Sequence, residues 1–224
     1  MSVFGKSVRK GTLRRPVAPP AYNRTMTLLA VLLVALMQTA PKTPPQAAAS
    51  LEPAPGNPVA VISTSFGDIT VELFKDRAPV SVENFLQYAK DGFYGGTIFH
   101  RVEPGFVIQG GGYTEAMVEK PTRAAILNEA TNGIRNTRGT LAMARRRELR
   151  SATSQFYINV SNNAALDHRG YTPSEYGYAV FGRVLAGMDV VDRIASVRTG
   201  SKADFESVPI EPVVIKAVTV KPAR

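Results

Sequence analysis

The stretch Phe99-His100-Arg101-Val102-Glu103-Pro104-Gly105-Phe106-Val107-Ile108-Gln109-Gly110-Gly111-Gly112 decides how this chain reads. It sets one cation beside apolar side chains and an amide, and it supplies no nucleophile together with a base. Arg101 carries a planar guanidinium that donates hydrogen bonds and cannot abstract a proton. Phe106, two apolar residues and then Gln109 form an apolar wall with one polar handle, the makeup of a pocket for a mostly apolar ligand. Such a set suits a reaction that needs charge placement without bond breaking. His100 has no hydroxyl or thiol partner in view and reads as structural or site-shaping. Gly110 to Gly112 lack the Lys-Ser/Thr ending of a phosphate loop and read as a tight turn.

Outward from this stretch the chain is a series of short apolar segments. Val59 to Phe66, the turn Gly67-Asp68 and the alternation Ile69, Val71, Leu73 predict a hairpin. Pro79 suits a helix first turn, and Val82, Phe85, Leu86 and Ala89 share one face before Gly92. Further strand-like segments run over Thr97 to His100, Phe106 to Gln109, Thr140 to Ala144, Gln155 to Val160, Tyr178 to Val184 and Val213 to Val220. Met188, Val191 and Ala195 mark a second short helix after Gly187. Eight strands and two helices suggest a closed antiparallel barrel, although periodicity alone leaves barrel and sandwich open.

Other local matches appear in a fixed order: Glu83-Asn84-Phe85, Gly139-Thr140-Leu141-Ala142-Met143-Ala144, Ser154-Gln155-Phe156 and Val180-Phe181-Gly182. With Phe-His-Arg, Pro-Gly-Phe and Gln-Gly-Gly they resemble the cyclophilin family of peptidyl-prolyl isomerases, over roughly Pro58 to Val220. Asn136-Thr137-Arg138-Gly139-Thr140 and Ala152-Thr153-Ser154-Gln155-Phe156 look closest to its short bacterial exported branch. The resemblance implies an all-β dominated fold, a closed eight-stranded antiparallel barrel capped by two α-helices. It also implies rotation about X-Pro peptide bonds, assisting the folding of exported proteins, with Arg101 as the catalytic group. Phe106, Val107, Tyr157 and Leu166 would hold the proline ring and Gln109 the substrate backbone. Ala144, Arg145 and Tyr178 would line the groove, with Gln155 supporting it. Phe99 and Phe156 are expected in the core.

Four positions depart from the family pattern. Tyr157 stands where many members have Phe, Arg145 replaces Asn, Tyr178 replaces His, and Ala165 replaces the Trp of cyclosporin-sensitive members. They leave Arg101, Phe106 and Gln109 intact. The alternative is a cyclophilin-like peptide-binding or chaperone module with weak or no turnover. No cofactor and no metal are expected, and the partners implied are proline-containing peptides and unfolded protein segments, bound by a monomer.

Composition narrows the classes further. The chain has 224 residues, no cysteine and two histidines, which leaves out disulfides, thiol chemistry and a histidine metal cluster. Its formal charge of +9 would suggest nucleic acid. Yet residues 1–49 hold seven Lys or Arg and no acid, leaving 20 basic against 18 acidic residues in the rest. Nucleic acid is therefore not an expected partner. Arg145-Arg146-Arg147 with Arg150 reads as a solvated loop, with acidic client segments as the other option, and His168 as a solvated turn residue.

The first segment, 1–49, reads as a basic leader whose apolar core spans 26–37 and which ends in Pro/Ala-rich sequence. Basic residues followed by a short apolar run form an export-signal pattern. The run is too short for a membrane span of roughly 20 residues. Ala47-Ala48-Ala49 offers a cleavage site but lies far from the apolar run. An uncleaved leader would tether the domain to the membrane. A linker is expected over 50–57 and the isomerase domain over 58–224, placed in the periplasm or facing it.

Overall fold

The computed structural model describes residues 52–221. The expected leader over 1–49 and its apolar core at 26–37 lie outside the described residues, as do residues 50, 51 and 222–224.

The first strands follow from their alternation. In β1 (Val59–Thr64), Ala60, Ile62 and Thr64 point inward, and in β2 (Gly67–Leu73) Ile69, Val71 and Leu73 do the same. The two pair antiparallel across the Thr64 to Gly67 turn. Then come α1 (Pro79–Lys90), β3 (Thr97–Glu103), β4 (Val107–Thr114), β5 (Thr140–Met143), β6 (Phe156–Asn159), β7 (Val180–Ala186), α2 (Met188–Ala195), β8 (Thr199–Lys202), β9 (Phe205–Pro209) and β10 (Val214–Lys221). Eight strands close an antiparallel barrel in the order β1-β10-β3-β4-β6-β5-β7-β2. Closure removes every free edge, which settles barrel against sandwich.

Both helices contribute to the core that fills the barrel. Val82, Phe85 and Tyr88 of α1 and Val191 and Ile194 of α2 are buried with the inward strand residues. Phe85 meets Phe156 and Phe181, each at 5.5 Å between ring centroids, and so plugs the interior. Fully burying such a side chain stabilises the fold by about 1.5–3 kcal/mol. Phe99 and Phe156 lie in this core, as expected. Pro79 does begin α1, but Ala78 before it makes no side-chain cap. Glu129 takes that role, accepting from the Val80 and Ser81 amides at 3.0 and 2.8 Å.

Several boundaries and turns differ from the sequence reading. The glycines Gly110 to Gly112 are not a turn: they lie inside β4, which runs on to Thr114. A Cβ at Gly110 would stand 2.8 Å from the Ile98 carbonyl oxygen, and one at Gly111 2.9 Å from the Phe156 ring. Glycine here lets neighbouring backbone and core rings approach. The register of β3 on β4 shifts on both sides of Phe99, so bulges bend this pair. The hairpin β8–β9 is additional to the eight expected strands; its Phe205 ring lies 6.0 Å from that of His100. Of the expected linker, Ala54 and Asn57 donate to Glu72 Oε1 at 2.7 and 2.8 Å. Its last residues are thus tied to the barrel. His168 is half-buried rather than free in solvent: its Nδ1 lies 2.9 Å from the Tyr176 carbonyl oxygen.

Candidate active site

Strand register alone aligns the central groups. Arg101 on β3 lies opposite Gln109 on β4, Gln109 opposite Tyr157 on β6, and Tyr157 opposite Ala142 on β5. Directly opposed residues share a face, so four residues from four strands form one row across the sheet.

A cavity of about 410 Å³ opens over this row, lined by Arg101, Phe106, Val107, Gln109, Ala144, Arg145, Tyr157, Leu166 and Tyr178. Nine of the ten expected site residues therefore meet in one place. Gln155, the tenth, lies in the adjoining cavity of about 550 Å³, which shares Arg101, Gln109, Ala144 and Arg145 with the first. Its position fits the supporting role expected of it, since its Oε1 accepts from Gln109 Nε2 at 3.1 Å.

Polar groups on the rim are linked in a line. Arg101 Nη2 donates to Glu103 Oε1 at 2.6 Å, and Arg101 Nη1 to Gln109 Oε1 at 3.4 Å. The guanidinium lies 5.7 Å from the centre of the Phe106 ring. Both members of the Arg101–Glu103 pair are about one-third exposed, at 35% and 36%. The pair therefore contributes orientation more than stability. Glu103 escaped the sequence reading. Its signal was present, since a residue two positions along a strand lies on the same face.

The apolar floor rests on a buried polar network. Tyr157, 3% exposed, donates its hydroxyl to Asn136 Oδ1 at 2.7 Å. Burial first, then the neighbouring Tyr178 and Asp167, push its phenol well above the usual range, against a smaller opposing effect from Arg145. It stays protonated and donates. Asn136 Nδ2 also donates to the Leu166 carbonyl at 3.1 Å, and Asn163 Nδ2 to the Phe106 carbonyl at 2.9 Å. Asn159 joins the two asparagines, donating to Asn136 Oδ1 at 3.2 Å and accepting from Asn163 at 2.7 Å. The walls Phe106 and Leu166 are thus held by the floor that supports Tyr157. From the sequence, Asn136 enters only as part of a motif and Asn159 and Asn163 are given no role, because an Asn side chain carries no local sign of a distant partner.

His100 belongs to the wall of the larger cavity. It is 2% exposed and its ring packs 4.7 Å from that of Tyr113. Burial lowers its pKa to about 4, with the Arg101 charge adding to the effect and a backbone contact to Ile98 opposing it. It is neutral at neutral pH, and its Nδ1 has no hydrogen-bond partner among the described residues. A general-base role finds no partner group here. Among the described residues, no three His, Asp or Glu side chains converge in a way that could hold a metal ion.

The geometry supplies a pocket with apolar walls, two oriented arginines, Arg101 and Arg145, and the Gln109 amide at its edge. Residues 59–220 match the family model for cyclophilin type peptidyl-prolyl cis-trans isomerases. The chain is 52% identical over 157 residues to peptidyl-prolyl cis-trans isomerase B of Escherichia coli (strain K12), covering 70% of this chain and 96% of that protein. It is 50% identical over 160 residues to peptidyl-prolyl cis-trans isomerase A of Dickeya dadantii, covering 71% and 83%. A crystal structure of a cyclophilin type peptidyl-prolyl cis-trans isomerase from Cryptosporidium parvum superposes with a TM-score of 0.60 at 25% identity, over 75% of this chain and 99% of that one.

Proposed function

Since the chain belongs to the cyclophilin family and is a peptidyl-prolyl cis/trans isomerase, we propose that Arg101 is its catalytic group and that the 410 Å³ cavity holds the proline ring. The peptide bond resists rotation because nitrogen shares its lone pair with the carbonyl, a barrier of roughly 18–20 kcal/mol. In the twisted transition state the prolyl nitrogen becomes pyramidal and regains that lone pair. A donor aimed at it then helps only there, which is the condition for catalysis. Arg101 fits the task because Glu103 and Gln109 take up two of its N–H groups and leave others to the cavity.

Phe106, Val107, Tyr157 and Leu166 immobilise the ring while the preceding carbonyl swings. Gln109, held by Gln155, binds substrate backbone at the rim. Ala144, Arg145 and Tyr178 complete the groove. The convergence of nine chosen residues on one cavity carries this reading. Exchange NMR on a proline peptide tests it, because catalysed rate and affinity come from one experiment. Losing one charge-assisted contact of roughly 1.5–3 kcal/mol predicts a rate drop of about 10- to 150-fold for Arg101→Ala, with a smaller loss of binding. A folded Arg101→Ala variant that isomerises within twofold of the parent would overturn the assignment.

We further propose that the protein belongs to the bacterial exported branch and assists folding in the periplasm. What supports it is the order of the leader, basic residues before a short apolar run at 26–37. An uncleaved leader would instead hold the domain at the membrane, facing the periplasm. Cell fractionation is expected to find a shortened periplasmic form or a membrane-bound one. Full-length chain confined to the cytosol would refute export.

A further inference from the structure

We propose that this isomerase selects prolines with an acidic residue two or three positions away, and that Arg146, Arg147 and Arg150 are the groups that select it. The inference rests on the isomerase site described above and concerns what lies beside it.

Two further cavities adjoin the proline pocket. One, of about 550 Å³, carries Arg146 and Arg150 on its wall; the other, of about 480 Å³, carries Arg146 and Arg147 and shares Arg145 and Tyr178 with the proline pocket. An extended peptide advances about 3.3–3.6 Å per residue. Two or three residues therefore carry a side chain from the proline pocket into an adjoining one.

The loop bearing these arginines is locked in place. Arg145 Nε donates to the Gly177 carbonyl at 3.0 Å and its Nη2 to that of Pro173 at 2.8 Å, while its Nη1 donates to the Arg146 and Arg147 carbonyls at 3.1 and 3.2 Å. Its guanidinium stacks 4.7 Å from the Tyr178 ring centre. The Arg146 amide donates to Ser151 Oγ at 2.9 Å, and that hydroxyl donates to the Glu148 carbonyl at 2.6 Å. Arg145 is thus a clip that spends four N–H groups on carbonyls and, among the described residues, meets no carboxylate. It leaves its three neighbours facing solvent.

Their charge is only partly offset. Glu119 and Glu148 line the larger cavity, and Glu119 reaches Arg146 at 3.5 Å with the arginine still 75% exposed. Among the described residues, the smaller cavity has three arginines and no acid on its wall. Among the described residues, Arg147 and Arg150 form no ion pair. In a domain with 20 basic and 18 acidic residues beyond position 49, this is a concentrated positive field beside the reacting bond. It draws in carboxylate side chains and repels lysine.

The test uses exchange NMR on the full chain with six-residue peptides holding one proline and a Gln, Glu or Lys two or three positions before or after it. Exposed pairs are individually weak, so Glu peptides should exceed Gln peptides by about three- to tenfold in kcat/KM at low salt on at least one side of the proline. Lys peptides should fall below Gln. The spread should shrink to under about twofold near 0.5 M salt, where screening is strong. In Arg146→Ser/Arg147→Ser/Arg150→Ser the Glu-to-Gln ratio should approach one, and in Arg147→Glu/Arg150→Glu the preference should turn toward Lys. Gln peptides turned over with no Glu preference, or a preference that survives the triple substitution, would overturn this inference alone. Failure to turn over any proline peptide would overturn the reading of the site instead.

Discussion

Glu103 is one-third exposed, yet it holds the guanidinium on which the proposed reaction depends, through the 2.6 Å contact to Arg101 Nη2. Such a contact is worth roughly 0.2–1 kcal/mol, so Glu103→Gln is expected to slow isomerisation by about two- to fivefold with little effect on peptide affinity. Arg101→Lys should behave more like Arg101→Ala than like the parent. An ammonium keeps the charge but cannot donate to Glu103, Gln109 and substrate from one planar fork. Exchange NMR on the three variants orders them, and a Lys variant near parental rate would contradict the geometric part of the argument. Beneath the pocket, Asn136→Leu removes the acceptor of the Tyr157 hydroxyl and the donor to the Leu166 carbonyl. Urea unfolding is expected to show a loss of about 1–3 kcal/mol, the cost of buried polar groups left unpaired. Adding Tyr157→Phe should recover part of it, since one orphaned hydroxyl is then gone.

At the scale of the strand, the three glycines of β4 do different work. Gly111 has φ +84°, where an L side chain is strained, and its added Cβ would press on Phe156 and Tyr94. Gly111→Ala should therefore cost stability, about 2 kcal/mol or more from backbone and packing together. Gly112 faces the site: a Cβ there would stand 2.5 Å from Gln155 Cγ. Gly112→Ala displaces Gln155 and with it the 3.1 Å bond that steadies Gln109. Its signature should be a raised KM at nearly parental thermal stability. Equal losses of melting temperature in the two variants would contradict this division. The same strand shows why a run of glycine is hard to read: it marks a turn or a close approach, and only the neighbours distinguish them.

Across the whole molecule, two buried groups make stability depend on pH. His100 titrates near 4 in the fold against about 6.5 in an unfolded chain. Between those values the unfolded chain binds more protons. Stability therefore falls as pH drops from about 6.5 toward 4, by roughly 3 kcal/mol in all. Glu72 adds a second loss at lower pH. Burial pushes its carboxyl up, but hydrogen bonds from Asn57, Ala54 and Arg183, with the charge of Arg183, outweigh that and hold it below the usual 4.5. Its contribution is present above about pH 4.5 and is lost as pH falls through the folded value. Urea unfolding of the full chain at several pH values should show both phases. His100→Leu should flatten the first while leaving the second, and an unchanged slope between pH 6.5 and 4 would refute the assignment.

Sequence alone determined the eight barrel strands, the two helices, the family and the motif side of the pocket, but not the β8–β9 hairpin. Arg101, Phe106, Val107 and Gln109 sit within one contiguous motif, and local alternation states which way a strand faces. Tyr157, Leu166 and Tyr178 came from resemblance rather than from any local signal. Tertiary structure decided what local pattern cannot express. Glu129 caps a helix about fifty residues before it, Asn136 and Asn163 tie the pocket walls to its floor, and Arg145 becomes a clip between two loops. It also turned Gly110 to Gly112 from a presumed turn into a strand under close-packed neighbours. The physical reason is common to all of these: hydrogen-bond partners and steric limits are set by atoms brought together through closure of the barrel, and their spacing in the chain carries no trace of that proximity.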